Sequence, residues 1–374
     1  MIDTVKLRID NPNIPSEAYD AFEPSAKDLF VPPFPKGKLF KRKLKPSKDD
    51  ERKGLYLPRI TLYKAVRSNG YAIYLDIEFS APKILFNNNF EEISDSDFNR
   101  LCIELSHKIE SMGLKIKPDG IANAHVQIIH YGKNILTGYT LATAVISDIS
   151  KANITSVKDF TEKEYRGGGK SLYFHTLNHG VVFYDKVAEL NRSKCRKRGL
   201  IEKDYYCQKS LFDDRAPPKP FEIVRMEARY SGKPQIRKLA TRLGLDLLDD
   251  YRFAGLFSSI IAQSALQYEL EEIKRGNFAF ADSDAETLAD FIQQIKLLNP
   301  KCSNTCLMKA ITLWQLSHDG HSSREIRTML GLKSAKWYRL REDVKSLKYT
   351  KRVANGISII EQGLNDFTTV RLPK

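Results

Sequence analysis

The chain has 374 residues, and its 60 Lys and Arg exceed its 46 Asp and Glu for a formal net charge of +14. That length is a prior for two or three domains, and 42% hydrophobic with 28% charged residues excludes a fibrous or disordered composition. Apolar runs such as Val181 to Tyr184 and Ile260 to Ala262 fall far short of the ~20 residues that span a bilayer. The opening stretch Met1 to Ile9 lacks a basic segment followed by an apolar one, so membrane and secreted classes are both disfavoured. Five sparse cysteines suit a reducing compartment, and a cytoplasmic location is expected.

Along the chain, Val5, Leu7 and Ile9 alternate with polar residues and predict a strand over 1–9. A Pro-rich basic stretch to about Pro58 predicts a long loop. Arg59 to Val66 and Tyr71 to Phe79 predict a hairpin around Ser68-Asn69-Gly70. Asp95 to Phe98 predicts the cap of a helix that runs to Met112 with Phe98, Leu101, Leu105 and Ile109 on one face. A strand is expected over Ile121 to Tyr131, a helix over Tyr139 to Ile149, and a second hairpin from Ser171–Thr176 and Gly180–Lys186. Glu222 to Tyr230 reads as a further strand. The pattern is α+β, with an antiparallel sheet as the simplest arrangement.

After about Lys233 helical periodicity takes over. The expected helices are Lys238–Leu243, Tyr251–Arg275, Ala285–Leu298, Cys306–His318, Ser323–Leu330 and Ser334–Leu347. A boundary near residue 245 divides a sheet-containing domain, 1–245, from a helical domain, 246–374. The segment Ser322 to Arg341 carries a short helix, a tight turn at Gly331, and a second helix bearing Lys336, Tyr338 and Arg339. That is the layout of a helix-turn-helix, although a plain helical hairpin with a basic solvent face has the same pattern. Lys348 to Ile359, with Asn355-Gly356 at its turn, reads as a small hairpin.

The positive charge is clustered. Lys36 to Lys53 holds nine basic residues, among them Lys41, Arg42 and Lys43, and a second cluster holds Arg192, Lys194, Arg196, Lys197, Arg198 and Lys203. Such clusters bind polyphosphate by counterion release. An anionic membrane would suit the charge too, but no amphipathic basic helix is visible.

Three constellations could carry chemistry. In His125-Val-Gln127 the two polar side chains share a strand face, where they could hold a divalent metal against a phosphate oxygen; His130 has the opposite parity. An isolated His-x-Gln is more often a solvated sheet edge. In Val181 to Glu189, Tyr184 follows an apolar strand and Lys186 shares its face if the strand continues. A tyrosine of ordinary pKa ~10 needs a neighbouring cation or metal to attack as phenolate, and the default for any one of 17 tyrosines is packing. Third, Glu78 and Glu227 interrupt apolar strands as metal ligands or as halves of ion pairs, and Arg225 has the same parity as Glu227. Gly167-Gly-Gly-Lys-Ser171 lacks the first glycine of a Walker loop, Glu standing at 164, so an NTPase is rejected.

In order, Met1-Ile-Asp-Thr-Val-Lys-Leu-Arg8, Ile77 to Leu85, Phe183-Tyr-Asp-Lys-Val-Ala-Glu189 and Val224-Arg-Met-Glu-Ala-Arg229 resemble the filamentous-phage gene II replication initiators. The middle segments also resemble the rolling-circle initiators of small staphylococcal plasmids. The resemblance implies an HUH-like antiparallel nicking domain in which Tyr184 attacks one strand of a supercoiled origin. The products would be a 5′-phosphotyrosyl link and a free 3′-hydroxyl, with rejoining that needs no ATP. It implies Mg²⁺ or Mn²⁺ as Lewis acid, with Glu78 a ligand and Lys186 near the phosphate. Glu189 and Glu227 would be further ligands or structural partners. Where those families carry Arg-x-Asp, this chain has His125-Val-Gln127, closer to the metal motif of other nicking initiators. Supercoiled and single-stranded origin DNA, host helicase and polymerase are the implied partners. Competing readings are a non-catalytic helix-turn-helix regulator and a conjugal mobilisation relaxase.

Overall fold

The computed structural model describes residues 1–31, 37–44, 56–67, 70–150, 162–166, 168–190, 222–245, 251–276, 280, 283–319, 321, 323–350 and 356–371. Its strands are β1 (Ile2–Asp10), β2 (Phe22–Glu23), β3 (Leu39–Leu44), β4 (Arg59–Arg67), β5 (Gly70–Ser80), β6 (His125–Leu136), β7 (Glu162–Arg166), β8 (Ser171–His175), β9 (His179–Asp185) and β10 (Ile223–Ser231). They form one sheet in the order β2-β3-β4-β5-β1-β6-β10-β9-β8-β7, with every described pairing antiparallel. The expected α+β class with an antiparallel sheet is therefore observed.

The helices are α1 (Ala81–Phe86), α2 (Phe98–Ser111), α3 (Pro118–Ala122), α4 (Ala142–Ser150), α5 (Lys186–Leu190), α6 (Lys233–Arg242), α7 (Phe253–Leu256), α8 (Ser259–Gly276), α9 (Leu288–Leu298), α10 (Asn304–His318), α11 (Ser323–Met329), α12 (Ser334–Lys345) and α13 (Gly356–Asp366). None of the described helices is long and apolar enough to cross a membrane.

Period-two alternation divides the sheet into two unlike faces. One carries Val5, Leu7, Ile60, Leu62, Leu75, Ile77, Val126, Ile129, Val181, Phe183, Val224 and Met226, all buried. These side chains share one apolar cluster with Leu101, Leu105 and Ile109 of α2, Val145 and Ile149 of α4, and Ala262, Ala265 and Leu266 of α8. Phe253 of α7 packs edge-on against Phe79 of β5 at 6.0 Å and against Phe257 at 5.6 Å. The other face presents Lys6 and Arg8 of β1, opposite Glu78 and Asp76 of β5 respectively, and Arg225, Glu227 and Arg229 of β10. It is the polar face of the sheet.

Several expected elements are redrawn. The loop expected up to Pro58 contains 3₁₀ turns at Ser16–Ala21 and Lys27–Leu29 as well as β2 and β3. The strand expected from Ile121 starts only at His125, because Pro118 opens α3 first. Gly356 to Ile359 lies in α13 rather than in a hairpin: Ile357, Ile360 and Leu364 bury one helical face in the main core. One apolar cluster includes residues up to Ile273 and takes in Ile357, Ile360 and Leu364 again, and a second cluster begins at Phe280.

Between those points lies a second core, in which Phe291 stacks on Trp314 at 5.1 Å and Phe280 meets Tyr349 at 5.0 Å. Two of its helices begin with side-chain caps. Thr287 accepts from the Asp290 amide at 3.2 Å while Asp290 accepts in return, and Ser303 accepts from the Cys306 amide at 3.2 Å. Such caps satisfy otherwise orphaned first-turn amides.

Candidate active site

The Tyr-Asp-Lys segment folds as a strand end followed by a turn into a helix. Tyr184 is the penultimate residue of β9, and Asp185 accepts from the Ala188 amide at 2.8 Å, capping α5. Lys186 therefore leaves the strand and does not continue its face. Its ammonium nevertheless lies 5.5 Å from the centroid of the Tyr184 ring and donates to Glu189 at 3.0 Å. Asn89 also donates to Glu189, at 3.4 Å.

The register of β10 places Arg225 opposite Tyr184. The phenol of Tyr184 donates to Glu227 Oε1 at 2.7 Å, and Arg225 Nε donates to the same oxygen at 2.9 Å. Arg229 donates to the other oxygen, Oε2, at 2.8 Å from its Nη2 and 3.2 Å from its Nε. The remaining Arg225 nitrogens donate to Asn134 Oδ1 at 2.9 Å and Asp3 Oδ2 at 3.0 Å. Ser80 Oγ donates to Asp3 at 3.2 Å.

The guanidinium of Arg225 lies across β6 where Gly132 has no side chain. A Cβ there would come within 2.8 Å of Arg225 Nη2 and 3.1 Å of Glu227 Cγ. Behind this row, Lys133 donates to Glu92 at 2.6 Å, and Glu92 accepts from the amides of Asn134 at 2.6 Å and Val370 at 3.0 Å. Tyr184 thus sits at the edge of a connected polar network in which each member has its partner.

Electrostatics follow from that burial. Desolvation, reinforced by the Glu227 carboxylate, holds the Tyr184 phenol well above the ordinary tyrosine value. Burial opposes ionisation of Glu227 too, but Arg229 and Arg225 outweigh it and keep the carboxyl well below the usual carboxylate range. Burial also lowers the Lys186 ammonium, with Glu189 offsetting part of the effect. His130, opposite Arg229 on β6, is depressed to about 4 by burial and then by Arg229. In the resting protein Tyr184 is a neutral donor to a carboxylate, and His130 is a neutral ring.

The residues expected at a metal do not converge beside Tyr184. Lys6 pairs with Ile128 and Leu7 with Val126, so Gln127 is the extra residue of a bulge. The bulge resets the alternation on which the shared face of His125 and Gln127 was expected, and it brings His130 onto the row of Arg229. His125 lies opposite Arg8, nine residues along β6 from Asn134, which at ~3.3 Å per residue is about 25–30 Å from the Tyr184 row.

Glu78 stands opposite Lys6 on one side and Arg59 on the other, and it is ion-paired with Arg59. His125 Nδ1 and Gln127 Nε2 are buried without a hydrogen-bond partner, which leaves an imidazole nitrogen available. The Glu78 carboxylate is held by the Arg59 guanidinium. Among the described residues no group of three or more His, Cys, Asp or Glu converges as a metal site. The expected trio of Glu78, His125 and Gln127 does not fit a single Mg²⁺ or Mn²⁺ beside Tyr184.

The expected DNA-binding residues divide. Lys41 and Lys43 are exposed on the polar face of β3, opposite Tyr63 and Thr61. Arg42 points to the other side, where it is ion-paired with Asp28 and donates to the Ser25 carbonyl at 3.2 Å. Arg196, Lys197 and Arg198 lie outside the described residues. Around Gly331 (φ +62°) the chain runs from α11 into α12, with Trp337 and Val344 buried and Lys336, Tyr338 and Arg339 exposed.

Tyr184, Lys186, Glu189 and Glu227, expected together from sequence, stand together in the structure. Asp3, Asn134 and Arg229 are members of the network that sequence reasoning missed. Arg229 was discoverable from parity, since 225, 227 and 229 alternate to one face. No family model, curated protein or solved structure matches the chain.

Proposed function

We propose that the protein is a rolling-circle replication initiator that nicks and rejoins one strand of origin DNA, with Tyr184 as the nucleophile. The observation that carries this reading is the 2.7 Å hydrogen bond from the Tyr184 phenol to Glu227, with Arg229 on the carboxylate's other oxygen. The constellation supplies a nucleophile, a proton acceptor in contact with it, and a guanidinium whose side chain is 33% exposed.

The chemistry follows from charge competition. A phosphodiester approaching the face draws Arg229 toward its own oxygens. With less of that guanidinium, Glu227 becomes more basic and takes the phenol proton. The phenolate oxygen then attacks phosphorus, the bond to the 3′-oxygen breaks with its electron pair, and that oxygen leaves as a hydroxyl on taking a proton from water, which the proton held on Glu227 then replaces. A phosphotyrosine ester remains on the 5′ side, and the reverse sequence rejoins a strand. Lys186 supplies positive charge beside the phenolate. Mg²⁺ or Mn²⁺ enters this proposal as a component to be tested, with no step routed through it.

The test incubates the full chain with the supercoiled replicon that carries its gene, with Mg²⁺, with Mn²⁺ and with chelator. Nicked circles and a detergent-resistant protein–DNA adduct are expected, and Tyr184→Phe should abolish both. Full nicking by that variant overturns the assignment. Activity that persists in chelator removes the metal from the proposal.

A second reading, a non-catalytic duplex-binding regulator, is favoured by the exposed Lys336, Tyr338 and Arg339 on α12 after the Gly331 turn. It expects salt-sensitive duplex binding with no adduct.

A further inference from the structure

The part of the polar sheet face farthest from Tyr184 is built differently. Tyr63 of β4 and Tyr74 of β5 are cross-strand partners whose rings stack at 5.0 Å and 17°. The Arg8 guanidinium lies 3.9 Å from the Tyr74 ring centroid, and the Lys41 ammonium 5.7 Å from that of Tyr63. Two hydrogen bonds from Arg8 to Asp76, at 2.7 and 2.9 Å, fix the guanidinium over the ring. Strand pairing puts Lys43, Lys6 and Arg59 on the same face, so its cations outnumber the acids Asp10, Asp76 and Glu78. Both tyrosines are partly exposed, and Lys41 and Lys43 are exposed.

We propose that this surface is a binding platform for single-stranded DNA: an unstacked base lies on the outer face of Tyr63, whose inner face is backed by Tyr74 and, behind it, Arg8, and the flanking phosphates meet Lys41 and Lys43. Aromatic rings accept the face of any base, while neighbouring cations track the backbone. A duplex offers no free base face to a flat sheet, and an acidic peptide would use the cations without the rings. The platform and Tyr184 share one face of one sheet. Tyr74 lies opposite Asp10, two residues beyond the Arg8 row, and four inter-strand steps separate β5 from β9. At ~3.3 Å per residue and ~4.8 Å per strand the two sites are roughly 40 Å apart, or about twelve nucleotides at a stacked rise of ~3.4 Å. The platform therefore holds the strand at a set distance from the point of cleavage. It takes its partner from the function proposed above but does not depend on nicking.

The test is fluorescence anisotropy of the full chain with a labelled thymidine oligonucleotide of about 20 residues, long enough to span that distance, at several salt concentrations. Tyr63→Leu combined with Tyr74→Leu is expected to weaken binding about 10-fold, as removal of one stacked base does, without changing the salt slope. Lys41→Gln with Lys43→Gln should flatten that slope by about 1.4, at ~0.7 for each phosphate no longer neutralised. Tyr63→Phe with Tyr74→Phe keeps the rings and should keep wild-type affinity, which separates stacking from folding. Unchanged affinity in the leucine pair overturns the platform, as does equal weakening in the phenylalanine pair. Poly-glutamate binding that falls by the same factor in the leucine pair also overturns it. Tyrosine-dependent binding by a chain that never forms an adduct overturns only the nicking reading.

Discussion

The two ends of the polar sheet face use the same residue types in opposite regimes. Near Tyr184, the Arg225 and Glu227 side chains are 1% and 4% exposed and form a closed set with Asp3, Asn134 and Arg229. Near Tyr63, the side chains of Lys6, Arg8 and Arg59 are 22%, 28% and 41% exposed. The difference comes from what closes over each end. Beside Tyr184 stand α5, the segment from Phe90, and Val370, which together form a small apolar cluster with Ile223. Burial turns charge into fixed architecture, because each dry ion must keep its partner. Where water remains, exposed cations such as Lys41 and Lys43 rearrange readily and can meet a ligand.

The largest expected effect is at the dry end. Arg225→Met leaves Asp3 and Glu227 without their shared guanidinium and should destabilise by about 3–5 kcal/mol in urea unfolding. A change under 1 kcal/mol would erase the contrast. Gly132→Ala forces a methyl against Arg225 and Glu227 and should cost about 1–3 kcal/mol by the same measurement.

A pH series sharpens the comparison. His130 is held neutral down to about 4 in the folded protein, whereas an unfolded histidine takes its proton near ~6.5. The unfolded state thus binds more protons in that window, and stability falls as pH drops through it. His130→Gln should remove that slope, on the order of 2 kcal/mol for a partly shielded ring. Glu227, and Glu92 beside Lys133, have depressed folded values. Their contribution is present above the unfolded value of ~4.3 and is lost below it. The smallest effect is expected at the wet end: Arg59→Gln, which breaks the pair with Glu78, should change stability by at most ~1 kcal/mol. A destabilisation as large as that of Arg225→Met would refute the division.

Much of this was legible locally. Alternation at Val5, Leu7 and Ile9, the antiparallel pairing of the two strands expected from Arg59 and from Tyr71, and the shared parity of Arg225 and Glu227 all carried through to the structure. What local sequence did not carry was register between distant strands. The insertion of β1 between β5 and β6 brings Asp3 to Arg225, two residues that are 222 positions apart. The bulge at Gln127 interrupts the alternation from which His125 and Gln127 were expected to share a face. At Asn355-Gly356 a turn signal outweighed the helical spacing of Ile357, Ile360 and Leu364, although that spacing was there to be read.

The return of α13 to the sheet has a consequence for how the molecule assembles. Gly356 donates to Asp148 across 208 positions, and Val370 donates to Glu92 across 278. Contacts of such separation place the sheet body among slow, topology-limited folders. On the ribosome the body stays open until residues beyond 356 have emerged, by which time 280–349 has already been made and can build its own core. That helical unit is an insert with both ends anchored in the body, and loop closure grows only by ~0.6 kcal/mol for each doubling of length. Its size is therefore nearly free to vary without disturbing the face that carries Tyr184.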